Sequence, residues 1–211
     1  MADNKAKNSK QKAKEEEDHE ESKPDLRIFH PDRYSVKAEE KTTVDPIEVV
    51  KLSPEDKHII LETWKEVEVH LDKQGPKVFK RIFEVNPKIQ KVFKLDEISP
   101  DQLEAHPVLR RHSQQFMEAI QYAVLNMDQL DGSETENDVA KVFYGLGKEH
   151  IRFQGLNDSH FGVFTGSILY VLSDTLGERF THEVRVAWSR LIDNLIKYIQ
   201  QGWKLETEAR K

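Results

Sequence analysis

Val139-Ala140-Lys141-Val142-Phe143-Tyr144-Gly145-Leu146-Gly147-Lys148-Glu149-His150 is the stretch whose reading decides the fold. Val139, Val142, Phe143 and Leu146 recur at helical spacing, and His150 closes their stripe, so its imidazole faces the core. Phe161 follows a short way on. Upstream, His112 lies on a second helical stripe with Leu109, Phe116, Ala119, Ile120 and Ala123. Two imidazoles facing inward from different helices, both among aromatic residues, suggest a metal or cofactor held between them. The chain has no cysteine, which excludes a disulfide framework, a thiolate metal site and a cysteine nucleophile. Any iron must therefore be held by nitrogen or oxygen.

Outward from these two helices the pattern stays helical from Leu52 onward. Ser53-Pro54-Glu55-Asp56 is a helix start, with a hydroxyl cap, a proline in the first turn and acids at the positive dipole end. Ile59, Ile60, Trp64 and Val67 give that helix an apolar face. Gly75-Pro76 reads as the opening of another, carrying Phe79, Ile82 and Phe83, and Asn86-Pro87 ends it. The His112 helix is expected over about 107–127, a loop over 128–138, and the His150 helix over about 139–151. Asn157 caps the next helix, Gly177 breaks it, and a last helix from Thr181 buries Val184, Trp188, Leu191, Leu195 and Ile199. No alternation with a β period is present. The expected class is all-α, with six to eight helices.

The first fifty residues differ in kind. They hold no Leu, Ile, Val or Phe before Leu26, and a Lys-rich block meets an acidic block between Lys5 and Glu21. Such a segment cannot bury enough apolar surface to offset chain entropy, so 1–50 is expected to be a largely disordered, charged arm. Within it, Leu26, Ile28, Phe29 and Tyr34 cluster, and we read 26–35 as folding back onto the domain in preference to a docking motif. Residues 51–204 form the domain and 205–211 a C-terminal tail. No apolar run is long enough to span a membrane, and Ala2 stands where N-myristoylation needs glycine. The net charge of −6 argues against nucleic-acid binding. A cytoplasmic protein is the expectation.

Taken together, these spacings resemble the globin family over about residues 52–204. Trp64 resembles the first-helix tryptophan, and Gly75 the second-helix glycine that admits a crossing helix. Pro87 resembles the proline that opens the third helix, and Phe93 the phenylalanine that stacks on haem. His112 falls at the distal and His150 at the proximal position, with Leu146 one turn earlier. Leu156 and Phe161 resemble the apolar pair after the proximal histidine, and Phe180-Thr181 the start of the last helix.

The resemblance implies a globin fold and haem b, with His150 as proximal iron ligand and His112 distal, able to serve as a sixth ligand. It implies Phe79, Phe93, Phe116, Leu146, Leu156 and Phe161 as haem contacts, and O2, CO or NO as ligands. A hydrogen bond from His112 to a gas carrying partial negative charge would contribute on the order of 1.5–3 kcal/mol. Phe116 stands where the family usually has a smaller aliphatic residue, and with Phe79 it crowds the ligand side. Gln115 stands where many members place a basic residue toward a haem propionate, leaving Arg111 or Arg152 for that task. The charged arm suits a redox or sensing role. The alternative is a haem enzyme, such as a nitric oxide dioxygenase or nitrite reductase, using an external reductase. A monomer or homodimer is equally compatible with the pattern. His106, His160 and His182 lie at helix ends or on polar faces and receive no role.

Overall fold

The computed structural model describes residues 29–34, 47–131 and 138–211. The charged blocks before residue 24, most of the arm and the loop 132–137 lie outside the described residues. Among the described residues there is no strand. The α-helices are α1 (Pro54–Val67), α2 (Leu71–Val85), α3 (Pro87–Val92), α4 (Pro100–Leu103), α5 (Pro107–Leu125), α6 (Asp138–Glu149), α7 (Phe164–Leu176) and α8 (His182–Ala209).

Local chemistry accounts for most of the boundaries. Ser53 caps α1 in a reciprocal box: its hydroxyl accepts from the Asp56 N–H at 3.0 Å, and the Asp56 carboxylate accepts from the Ser53 N–H at 2.9 Å. Burial alone would push the Asp56 carboxyl up. The Ser53 hydrogen bonds and the Arg190 guanidinium, 2.8 Å away on α8, more than offset this and hold it below the usual carboxylate range. Thr181 caps α8, and Gly177 ends α7 in the left-handed region at φ +52°. Asn157 caps a 3₁₀ turn, Asp158–Val163, in which His160 is buried and hydrogen-bonded back to Asn157. That gives His160 a structural task.

Three boundaries differ from the sequence reading. Gly75 and Pro76 lie inside α2, because a 3₁₀ turn at Glu68–His70 joins α1 directly to a helix beginning at Leu71. Gly75 is fixed there by tertiary contact: a Cβ on it would stand 2.7 Å from the Ser113 carbonyl oxygen of α5. His150 is not in the body of α6 but opens a 3₁₀ turn, His150–Arg152, that tightens its end. And α8 runs on to Ala209 through residues read as a tail, supported by Arg210 Nε donating to Glu206 at 2.9 Å, one turn apart.

The core holds Phe79, Ile82, Leu109, Trp188, Leu191 and Leu195, all essentially inaccessible to solvent. Trp188 donates its indole N–H to the Thr63 hydroxyl at 2.9 Å and lies 6.0 Å from Trp64, joining α1 to α8. The described parts of the arm pack on this body. Phe29 is buried, the Val50 N–H and C=O bond to the Asn194 side chain, and Lys197 donates to the Glu48 carbonyl. Residues 29–34 thus follow the fold-back reading, and their anchors lie on α5 and α6.

Candidate functional site: two imidazoles facing one cavity

Helix α6 is held against its neighbours by backbone contact. A Cβ on Gly147 would stand 2.0 Å from the Ile199 carbonyl oxygen of α8, and one on Gly202 of α8 would stand 2.0 Å from that of Tyr144. On the opposite side of the same turn, a Cβ on Gly145 would overlap the Tyr34 carbonyl oxygen. Glycine is required at all three because no side chain fits between these backbones. The sequence reading missed this; its visible signal was two glycines spaced by one residue in an otherwise apolar helix.

At the end of this clamped helix, His150 Nδ1 lies 2.6 Å from the Leu146 carbonyl oxygen. A carbonyl only accepts, so Nδ1 bears the proton and Nε2 the lone pair. His112, on α5, faces it with ring centres 6.4 Å apart and planes at 73°. Among the described residues the His112 ring has no hydrogen-bond partner. It is instead enclosed by ring edges: Phe93 at 4.9 Å, Phe79 at 5.1 Å and Phe153 at 5.7 Å.

Burial pushes the His112 pKa down to about 3, with the nearby His150 adding to the effect. Burial also lowers His150, partly opposed by its bond to Leu146 and by the Glu149 charge. Both imidazoles are therefore neutral near pH 7, the form that ligates a metal.

Both histidines line a cavity of about 300 Å³, the size of a small-molecule or cofactor site. Phe79, Phe116, Leu146 and Phe161 also line it, so the structure brings together six of the eight residues singled out from sequence. Phe93 stands behind the wall, in contact with His112, Phe79 and Phe83. Leu156 is displaced from the cavity. The chain turns through Gly155 at φ +87°, which leaves Leu156 in a turn with its N–H on the Phe153 carbonyl. Phe153 takes the inner position and touches both imidazoles.

Phe153 went unrecognised in the sequence because it follows the histidine in a segment without helical period. Phe164 adds a further ring, 6.2 Å from both Phe79 and Phe116. Ile192, Leu195, Ile196 and Ile199 of α8 complete the apolar wall. Of the residues considered for a propionate, Gln115 and Arg152 line the cavity and Arg111 does not. Arg152 is already paired with Glu149 at 2.7 Å.

Among the described residues no group of three or more His, Asp or Glu could hold a metal ion. Two imidazoles alone do not fill a metal's coordination sphere. The donor set therefore fits a metal that arrives within a flat, apolar chelate supplying the remaining nitrogens, and the aromatic cavity suits such a chelate.

An all-helical domain with two neutral histidines facing across an aromatic cavity defines a haem-protein class. The globin family profile matches residues 76–199, more than half the chain. The chain belongs to the globin family, and membership implies haem as its cofactor. It is 29% identical over 166 residues to cytoglobin-2 of Danio rerio, covering 75% of this chain and 89% of that one. It is 28% identical over 162 residues to neuroglobin of Chaenocephalus aceratus, covering 76% and 98%. Its fold is similar to that of a hexacoordinated haem protein from an anhydrobiotic tardigrade, crystallised at pH 4. The TM-score is 0.66 and the identity 20%, over 72% of this chain and 96% of that one. Among the described residues no helix is long and apolar enough to cross a membrane.

Proposed function

We propose that this globin would hold haem b through His150, with His112 able to serve as a second ligand to its iron in competition with a diatomic gas. When bound, the haem supplies an iron able to take O2, CO or NO. The observation that carries this reading is the 6.4 Å separation of the two ring centres. Two imidazoles at this spacing would both be able to reach one metal ion between them. The similar fold of a hexacoordinated haem protein is in keeping with it.

The two histidines have different tasks in this reading. The Leu146 carbonyl fixes the His150 ring and raises the basicity of its free nitrogen, which favours a permanent ligand. His112 lacks such an anchor, so its ring can turn away at the cost of edge contacts with phenylalanines. Once displaced, it can donate a hydrogen bond to a polar ligand. Phe79 and Phe116, 5.3 Å apart, restrict the space a ligand enters. Such an arrangement suits a redox or sensing role in the cytoplasm better than bulk oxygen carriage.

The visible spectrum of the reduced, gas-free protein tests the reading. Sharp, split bands are expected for two histidines, and His112→Leu should replace them by one broad band while speeding CO association. His150→Ala should abolish stable haem uptake. A single broad band from the unsubstituted protein overturns six-coordination. Absence of haem uptake by the unsubstituted chain overturns the whole reading.

A further inference from the structure

We propose that Arg33, carried by the segment that precedes the globin domain, is a binding residue for a carboxylate of the cofactor. The inference rests on haem occupying the cavity between His112 and His150. It starts from the charges on the cavity wall. Three ionised side chains line it: Arg33, Arg152 and Glu149. Arg152 and Glu149 neutralise one another in a 2.7 Å pair. One guanidinium is left over, and it has no hydrogen-bond or ion partner among the described residues.

The segment that carries Arg33 is firmly placed. The Phe29 N–H donates to the Glu118 carboxylate of α5 at 2.7 Å. The Phe29 ring is buried, stacks on Tyr34 at 5.4 Å with planes 12° apart, and meets Tyr122 of α5 at 6.1 Å. The Tyr34 carbonyl rests on the bare face of Gly145 in α6. A 3₁₀ turn, Pro31–Arg33, sits between these two anchors. The segment therefore bridges α5, which bears His112, and α6, which leads into His150, and holds Arg33 at the rim of the cavity the two histidines share.

The chemistry that matches is a carboxylate on an otherwise apolar ligand. Guanidinium is the side chain best shaped for it, offering paired N–H donors and keeping its charge at any working pH. An iron porphyrin of the b type has such groups on one edge and an apolar body elsewhere, as the cavity does. Arg33 thereby supplies the function that Gln115 on α5 cannot, from a part of the chain outside the matched globin region of residues 76–199.

The test uses the full chain loaded with ferric haem, as the unsubstituted protein, Arg33→Gln and Arg33→Lys. Haem loss to an excess of a tighter-binding apoprotein is timed, and the series is repeated with haem whose two carboxylates are methyl esters. Arg33 is exposed, so the expected effect of Arg33→Gln is modest: about two- to fivefold faster loss of ordinary haem at low salt. The difference should shrink at high salt, be smaller for Arg33→Lys, and vanish with the ester. The unfolding midpoint of the haem-free chain should not move. Equal loss rates for ordinary haem, or the same acceleration with the ester, overturn the assignment of Arg33 while leaving His150 and His112 as ligands. Failure of the unsubstituted chain to take up haem overturns the cofactor reading itself.

Discussion

The two sides of the cavity are built on opposite principles. On the His150 side, helix α6 lies in backbone contact with α8 through Gly147 and Gly202 and with the N-terminal segment through Gly145, and the imidazole is tied to the Leu146 carbonyl. On the His112 side, α5 meets α2 closely at Gly75, but the imidazole is surrounded by the edges of phenylalanine rings and faces the His150 ring. Direction on one side is set by hydrogen bonding and clamped backbones; on the other it is set by shape alone. Hydrogen bonds fix an orientation, whereas edge contacts of about 5 Å permit several. That contrast underlies the proposal of one fixed and one releasable ligand.

The strongest way to break the contrast is to loosen the fixed side. Gly147→Ala places a methyl against the Ile199 carbonyl and forces α6 from α8. We expect a loss of about 2–3 kcal/mol, after the gain in helix propensity is set against the overpacking. Urea unfolding followed by circular dichroism reads it, and a stability equal to the parent would show that the helices part without cost.

A change far from the cavity gives the control. Asp56→Asn should cost about 1–2 kcal/mol at pH 7 through the capping box and the Arg190 pair, leaving the haem spectrum as it was. The Asp56 pKa is depressed in the folded chain, so its contribution is present above the unfolded carboxyl value and lost as pH falls through the lower folded one. The gap between parent and variant should therefore be constant near neutrality and close below about pH 4. A gap that widens on acidification would contradict the assignment.

The smallest effect on stability belongs to the releasable side. Since the His112 ring has no hydrogen-bond partner among the described residues, His112→Leu should change the haem-free stability by less than about 1 kcal/mol, in either direction. Its spectral effect should nevertheless be complete. A large destabilisation would mean that the ring is a structural member of the core.

The all-helical fold was legible from apolar periodicity, and the six residues that line the cavity, Phe79, His112, Phe116, Leu146, His150 and Phe161, were singled out by that periodicity together with the family resemblance. Leu156 and Phe153 exchanged roles because the positive φ at Gly155 redirects the chain, and a turn of that kind leaves no periodic trace. The opening of α2 was misplaced for a related reason: Gly75-Pro76 is a strong local stop signal, overridden here by close packing on Ser113. The close approaches at Gly145, Gly147 and Gly202 depend on which backbones meet in space, and one sequence carries no record of that. Arg33 escaped notice because nothing in residues 26–35 shows which part of the domain they cover.

The seat of the Tyr34 carbonyl on Gly145 bears on how this protein should be handled at the bench. A shortened version trimmed to begin near Leu52 would keep every helix and both histidines, yet would remove a panel of the chamber that encloses the pigment. Spectra recorded on such a truncation would describe a leakier vessel than the chain that keeps residues 29–34.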